Sequence, residues 1–65
     1  MIGFYISKLK NLFDVQTIIY CYQAEPFEAI ELESGDCSSL WNLKEFVFCE
    51  KQEELFLKYK DIIDD

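Results

Sequence analysis

The stretch Val15–Glu33, VQTIIYCYQAEPFEAIELE, decides how this chain is read. Its first half, Val15–Gln23, is uncharged and rich in β-branched and aromatic residues, the composition of a strand. In an extended chain Ile18, Tyr20 and Tyr22 point one way and Val15, Thr17, Ile19 and Cys21 the other, so both faces are apolar. Such a strand is covered on both sides, or covered on one and adhesive on the other. Ala24-Glu25-Pro26 ends it, because proline has no N–H for a ladder and biases the residue before it away from helix. The second half, Phe27–Glu33, alternates: Ile30 and Leu32 inward, Ala29, Glu31 and Glu33 outward, a half-buried strand antiparallel to the first. Ser34-Gly35-Asp36 then reads as a turn.

Outward from this hairpin, Met1–Ser7 (MIGFYIS) reads as a strand with Ile2, Phe4 and Ile6 on one side and Gly3, Tyr5 and Ser7 on the other. Leu9, Leu12 and Phe13 follow helical spacing, which predicts a short helical turn or loop after that strand. The segment Cys37–Cys49 predicts an extended run ending in a strand at Phe46–Cys49, preceded by a turn around Leu40–Leu43. A competing reading has Ser38 or Ser39 capping a short helix through Leu40, Leu43 and Val47. Lys51–Ile63 has the plainest periodicity. Leu55, Tyr59, Ile62 and Ile63 fall on one helical stripe with Phe56 at its edge and Leu57 on the opposite, polar face. Glu50, Glu53 and Glu54 at its start and Lys58 and Lys60 towards its end suit the helix dipole, and Glu54 with Lys58 makes an i, i+4 pair. The predicted fold is α+β in one small domain, 1–65: an antiparallel sheet of three to four strands with one C-terminal amphipathic helix packed on one face.

Size and charge narrow the function. A chain of 65 residues buries only roughly 60% of the surface it exposes when unfolded. Dense aromatic packing must therefore compensate, and six Phe, four Tyr and one Trp are more than so small an interior hides. The net charge is −7 and it is lopsided. Residues 1–24 carry Lys8, Lys10 and Asp14, net +1, whereas residues 25–65 carry twelve carboxylates against four lysines, net −8. That field repels nucleic acid and anionic membrane and attracts basic proteins. Lys8 and Lys10 form the one local basic spot.

The missing residue types exclude several chemistries. Without His there is no imidazole base or catalytic triad; without Arg there is no bidentate anion clamp. A glycine-rich phosphate loop is absent as well, so the expectation is no enzyme and no cofactor. Cys21, Cys37 and Cys49, even with Asp36 as a fourth ligand, lack the close pairing of a structural zinc site and read as buried thiols instead. The odd cysteine count and the absence of an export signal near the start predict reduced thiols and a cytoplasmic location. No apolar run reaches the ~20 residues of a membrane span.

What remains is the carboxylate pattern. On a strand Glu31 and Glu33 would stand about 6.6 Å apart on one face. If Ile30 and Leu32 pack beneath the helix stripe, those two glutamates face away from it, on an open sheet face among uncovered aromatics. Glu25 and Asp36 flank them, while Glu50, Glu53, Glu54, Asp61, Asp64 and Asp65 extend the negative surface along the helix. The candidate partner-binding residues are Glu25, Glu31, Glu33, Asp36, Glu53, Glu54 and Leu57, and the expected partner is a protein with a basic surface. In size, charge and lack of catalytic side chains the chain is similar to small phage or mobile-element inhibitors of nucleic-acid enzymes, including anti-CRISPR and anti-restriction proteins. The resemblance is one of composition. It implies a counter-defence inhibitor of the host cell cytoplasm whose negative surface occupies a groove made for DNA or RNA. The alternative expectation is a self-associating interaction module, a homodimer formed through a sheet face or edge.

Overall fold

The structure, a computed structural model, describes residues 2–10, 12–39 and 41–63. Met1, Leu40, Asp64 and Asp65, which figure in the readings above, lie outside the described residues. Among the described residues five antiparallel strands are followed by one α-helix: β1 Gly3–Lys10, β2 Gln16–Ala24, β3 Phe27–Glu31, β4 Cys37–Ser38, β5 Phe46–Phe48 and α1 Gln52–Ile63. Their order across the sheet is β4-β3-β2-β1-β5. The α+β class and the C-terminal helix are as predicted. The fifth strand is the two-residue β4, too short to leave a periodic signal.

The Val15–Glu33 hairpin is the centre of the sheet. Ile19 pairs with Glu31, Tyr20 with Ile30 and Cys21 with Ala29, around a turn that contains Pro26 after a cis peptide bond. On the other side of β2, Phe4 pairs with Tyr20 and Ile6 with Ile18. These registers sort the side chains into two faces. Phe4, Ile6, Ile18, Tyr20 and Ile30 share one face, and α1 lies over it, with the Tyr59 ring 6.4 Å from that of Phe4. Tyr5, Ile19, Cys21, Ala29 and Phe46 form a buried cluster on the other.

That second face corrects the sequence reading. Ala29, expected outward, is fully buried. The face expected to be open is closed by Phe27 and Trp41, which pack on the cluster, with the Trp41 ring edge-on to Phe46 at 6.0 Å. The β4–β5 connection carries Trp41 back beneath the sheet, a tertiary event that strand periodicity does not encode. The apolar character of both faces of Val15–Gln23 thus reflects cover on both sides.

Other boundaries move for local reasons. β3 stops at Glu31, so Glu33 belongs to the turn and not to the strand. Leu32 is buried just past the strand end, its N–H donating to the Ile18 carbonyl at 3.1 Å. The short helical turn or loop expected after Ser7 comes later and as a turn, at 12–14: β1 first runs on to Lys10, because Ser7 ties the hairpin together. Its Oγ accepts from Thr17 N–H at 3.3 Å and its carbonyl from Gln16 Nε2 at 3.0 Å. Between β4 and β5 the chain makes a single 3₁₀ turn, Leu43–Glu45, started not by Ser38 or Ser39 but by Asn42, whose Oδ1 accepts from Lys44 N–H. Glu54 has Lys51 within 4.0 Å rather than the expected Lys58, whose Nζ sits 5.3 Å from the centre of the Tyr59 ring.

Gln52 fixes the start of the helix. Its Oε1 accepts from Phe4 N–H at 2.8 Å, and its Nε2 donates to the carbonyls of Phe4 at 3.0 Å and Cys49 at 2.5 Å. One amide thereby satisfies both backbone groups of a residue in β1 and holds the helix to the strand.

Candidate protein-binding surface

The predicted partner-binding residues separate into three places. Glu25 sits in the exposed β2–β3 turn. Glu31, Glu33 and Asp36 belong to the β3–β4 turn, closed by Gly35 N–H to the Glu31 carbonyl at 2.8 Å and Glu31 N–H to the Asp36 carbonyl at 2.9 Å. Glu53, Glu54 and Leu57 lie together on α1.

The turn group is partly consumed by its own architecture. The Glu31 carboxylate accepts from Glu33 N–H at 3.1 Å and Ser34 N–H at 2.6 Å, so it organises the turn before it meets anything else. Burial alone would raise its pKa. Hydrogen bonds from the Ser34 side chain and from the N–H groups of Ser34 and Glu33 outweigh that effect, and the net direction is downward. A carboxylate with a depressed folded-state pKa contributes stability above its unfolded value, about 4.3 for Glu. That contribution disappears as pH falls through the lower folded value. Glu31→Gln is therefore expected to lower the urea midpoint at pH 6 and to converge with the unmutated chain below about pH 4. Parallel curves across that range would count against the turn-organising role.

The helix group stands differently. Glu53 and Leu57 are one turn apart, and they border a shallow hollow shared with Ile2, Phe48 and Phe56. Leu57 is 73% exposed and Ile2 56%, while Phe56 and Phe48 are partly open. Glu53 thus flanks an exposed apolar ridge, whereas Glu50 and Glu54 border a separate hollow with Ile6, Ile18, Val47, Lys51 and Lys58. Leu57 lies on the exposed side of the helix as its spacing predicted.

No family model, curated protein or solved structure matches the chain.

Two further surfaces were not read from the sequence as sites. At the β1–β2 hairpin tip Leu9 is 81%, Phe13 83% and Leu12 100% exposed; their i, i+3, i+4 spacing suggested a helix stripe, whereas the structure places Leu9 at the end of β1 and Leu12 and Phe13 on the turn that follows. Beside the base of that hairpin, Lys8, Lys10 and Lys44 border a cleft of about 670 Å³ with Trp41 and Phe46 at its apolar wall. Lys44 joins the other two through space alone, so only the Lys8–Lys10 half of this cluster was visible in the chain order. The Trp41 Nε1–H is buried without an acceptor among the described residues.

The thiols do not converge: Cys21 is in the core, Cys37 exposed on β4 and Cys49 half-buried after β5, all free. Among the described residues no three acidic or thiol side chains gather as metal ligands, and no helix is long and apolar enough to cross a membrane.

Proposed function

We propose that this chain is a stoichiometric protein-binding inhibitor or modulator that lays the acidic, apolar-anchored ridge of α1 on the basic surface of a partner protein. The supporting observation is the juxtaposition of Glu53 with exposed Leu57, Ile2 and Phe56 around one hollow. Apolar anchors that fill pockets carry most of the affinity at an interface, while surrounding charges set encounter rate and orientation. A net charge of −7 extends that steering over the whole molecule. The composition favours a partner that handles nucleic acid, as in the counter-defence inhibitors the chain resembles, with the ridge occupying part of its basic groove.

Affinity capture from host extract at rising salt, with charge-reversed variants in parallel, tests the reading. Glu53→Lys with Glu54→Lys is expected to weaken retention of the partner about tenfold or more, since like charges then face each other. Reversal at Glu25 and Glu33 is expected to leave most of the binding, because those turns lie apart from the ridge. Retention that is insensitive to both salt and the α1 reversal would remove the electrostatic part of the proposal.

A further inference from the structure

α1 is seated lightly on the sheet. None of its residues is fully buried. The buried cluster of Tyr5, Ile19, Cys21, Ala29 and Phe46, with Phe27 and Trp41 packed on it, lies on the opposite face and takes no side chain from the helix. Among the described residues two attachments to Phe4 stand out on the helix's own face. Gln52 bonds to the Phe4 backbone at the start of α1, and the Tyr59 ring meets the Phe4 ring further along. Around those points the layer is open. A hollow of about 520 Å³ runs along the Glu53, Phe56 and Leu57 side, one of about 530 Å³ along the Glu54, Leu55 and Lys58 side, and one of about 340 Å³ beside Ile62 and Ile63. A layer packed to interior density leaves no such gaps. The backbone is relaxed at the same places: Tyr59 departs from helical geometry, and exposed Glu50 and Lys51, outside regular structure, lead into the helix.

We infer that α1 is a strap that lifts off the sheet as a unit, hinged at Glu50 and Lys51, while the sheet and the cluster on its far face stay folded. Elements with few buried contacts open at lower free energy than the core, and they do so as contiguous units. Lifting uncovers Phe4 together with Ile6, Ile18, Tyr20 and Ile30, which share that face, and this exposure keeps the seated form dominant. The lifted form stands on the far cluster, whose cover, Phe27 and Trp41, comes from the chain before the hinge. One consequence reaches the binding ridge, and it alone rests on the partner reading above. The hollow that Glu53, Phe56 and Leu57 share with Ile2 and Phe48 exists only while α1 is seated. A partner that fills it binds the seated form and not the lifted one, and so holds the strap down.

Native-state hydrogen exchange of the purified chain tests the strap with no partner present, so its failure leaves the partner reading standing. Where exchange reports opening equilibria, the amides of the helix interior, 56–59, are expected to share one protection value. That value is expected to be at least about 100-fold below the protection at Cys21 in β2. Two substitutions then separate lifting from unfolding of the whole domain. Ile19→Val, in the far cluster, destabilises the seated and lifted forms alike. It is expected to speed exchange at Cys21 about fivefold and to leave the α1 amides unchanged. Gln52→Ala removes the bonds to Phe4 and destabilises the seated form alone. It is expected to speed exchange at Cys21 and in α1 by one common factor, about tenfold. Equal protection of α1 and β2 in the unmutated chain would overturn the inference. So would an Ile19→Val chain whose α1 amides speed up as much as Cys21, since the helix would then open only with the entire domain.

Discussion

Replacement of Gly3 by alanine is expected to lower the unfolding free energy by about 3 kcal/mol, from backbone strain of roughly 1–3 kcal/mol and a similar overpacking term. Gly3 has φ +143°, a region that residues with a Cβ rarely enter, and the space beside it is occupied. A Cβ there would lie 2.7 Å from Gln52 Oε1 and 2.7 Å from Phe48 Cε1. Phe48 belongs to β5, and Gln52 is the amide that holds the helix start to Phe4. Relief of the clash by moving Gln52 breaks the hydrogen bonds to Phe4 and Cys49; relief by moving Phe48 disturbs its edge-on contact with Tyr5, 5.2 Å away. A domain of this length has about 3–10 kcal/mol of stability in total, so alanine at this one position brings it close to unfolding. Gly35→Ala is the control. Gly35 also has positive φ, +77°, but nothing lies within 4 Å of its added Cβ, so only the conformational part applies, about 1 kcal/mol. Urea denaturation of the two variants separates strain from crowding, and equal losses would refute the steric argument at Gly3.

The contrast between these glycines also shows which features of the molecule can be read along the chain. Gly35 sits in Ser34-Gly35-Asp36, where composition alone announces a turn. Nothing near Gly3 announces that a helix some fifty positions later will reach across to it. The same division runs through the fold. The stripe Leu55–Tyr59–Ile62–Ile63, the strand composition of Val15–Gln23 and the break at Pro26 are local, and each appears in the structure near its expected place. Tyr59 takes a non-helical φ of −109° and ψ of 15°, so the last turn of α1 is bent, but the stripe still reaches the sheet. Ala29 is buried against its expectation because alternation tells which residues share a face and not which face is covered. Trp41 decides that, and its path under the sheet is set by tertiary packing. The hairpin tip departs from expectation in extent: a helical turn or loop was expected right after Ser7, but Ser7 bonds to Gln16 and Thr17 and keeps the strand going to Lys10 before the turn at 12–14. Of the candidate site, the helix part was legible, since Glu53, Glu54 and Leu57 are neighbours through helical geometry. The Glu31–Glu33 pair was not, because the carboxylate of Glu31 folds back on its own turn and ends the strand that would have displayed both.

Phe4→Ala carries the second large expectation, a loss of about 4 kcal/mol, within the range for emptying a phenylalanine site in a packed core. Phe4 is 1% exposed and lies between the two layers: its ring centre is 4.7 Å from Tyr20 on the neighbouring strand and 6.4 Å from Tyr59 on the helix. No residue of α1 is fully buried, so the helix holds to the sheet through half-buried contacts, the Gln52 hydrogen bonds and this ring. Deleting the ring leaves the Gln52 bonds to the Phe4 backbone available, which is why helix content is expected to survive in part while the near-ultraviolet signal of Tyr20 and Tyr59 is lost. The opposite outcome is expected at Phe56, 41% exposed on the outer ridge. Phe56→Ala should cost about 1–2 kcal/mol, because its ring is just over half covered, and should weaken capture of the basic partner. The two phenylalanines thereby separate what holds the helix in place from what the helix presents. If Phe56→Ala proved as destabilising as Phe4→Ala, the outer ridge would be part of the core, and the surface proposed for binding would have to be sought at the hairpin tip around Leu9 and Leu12.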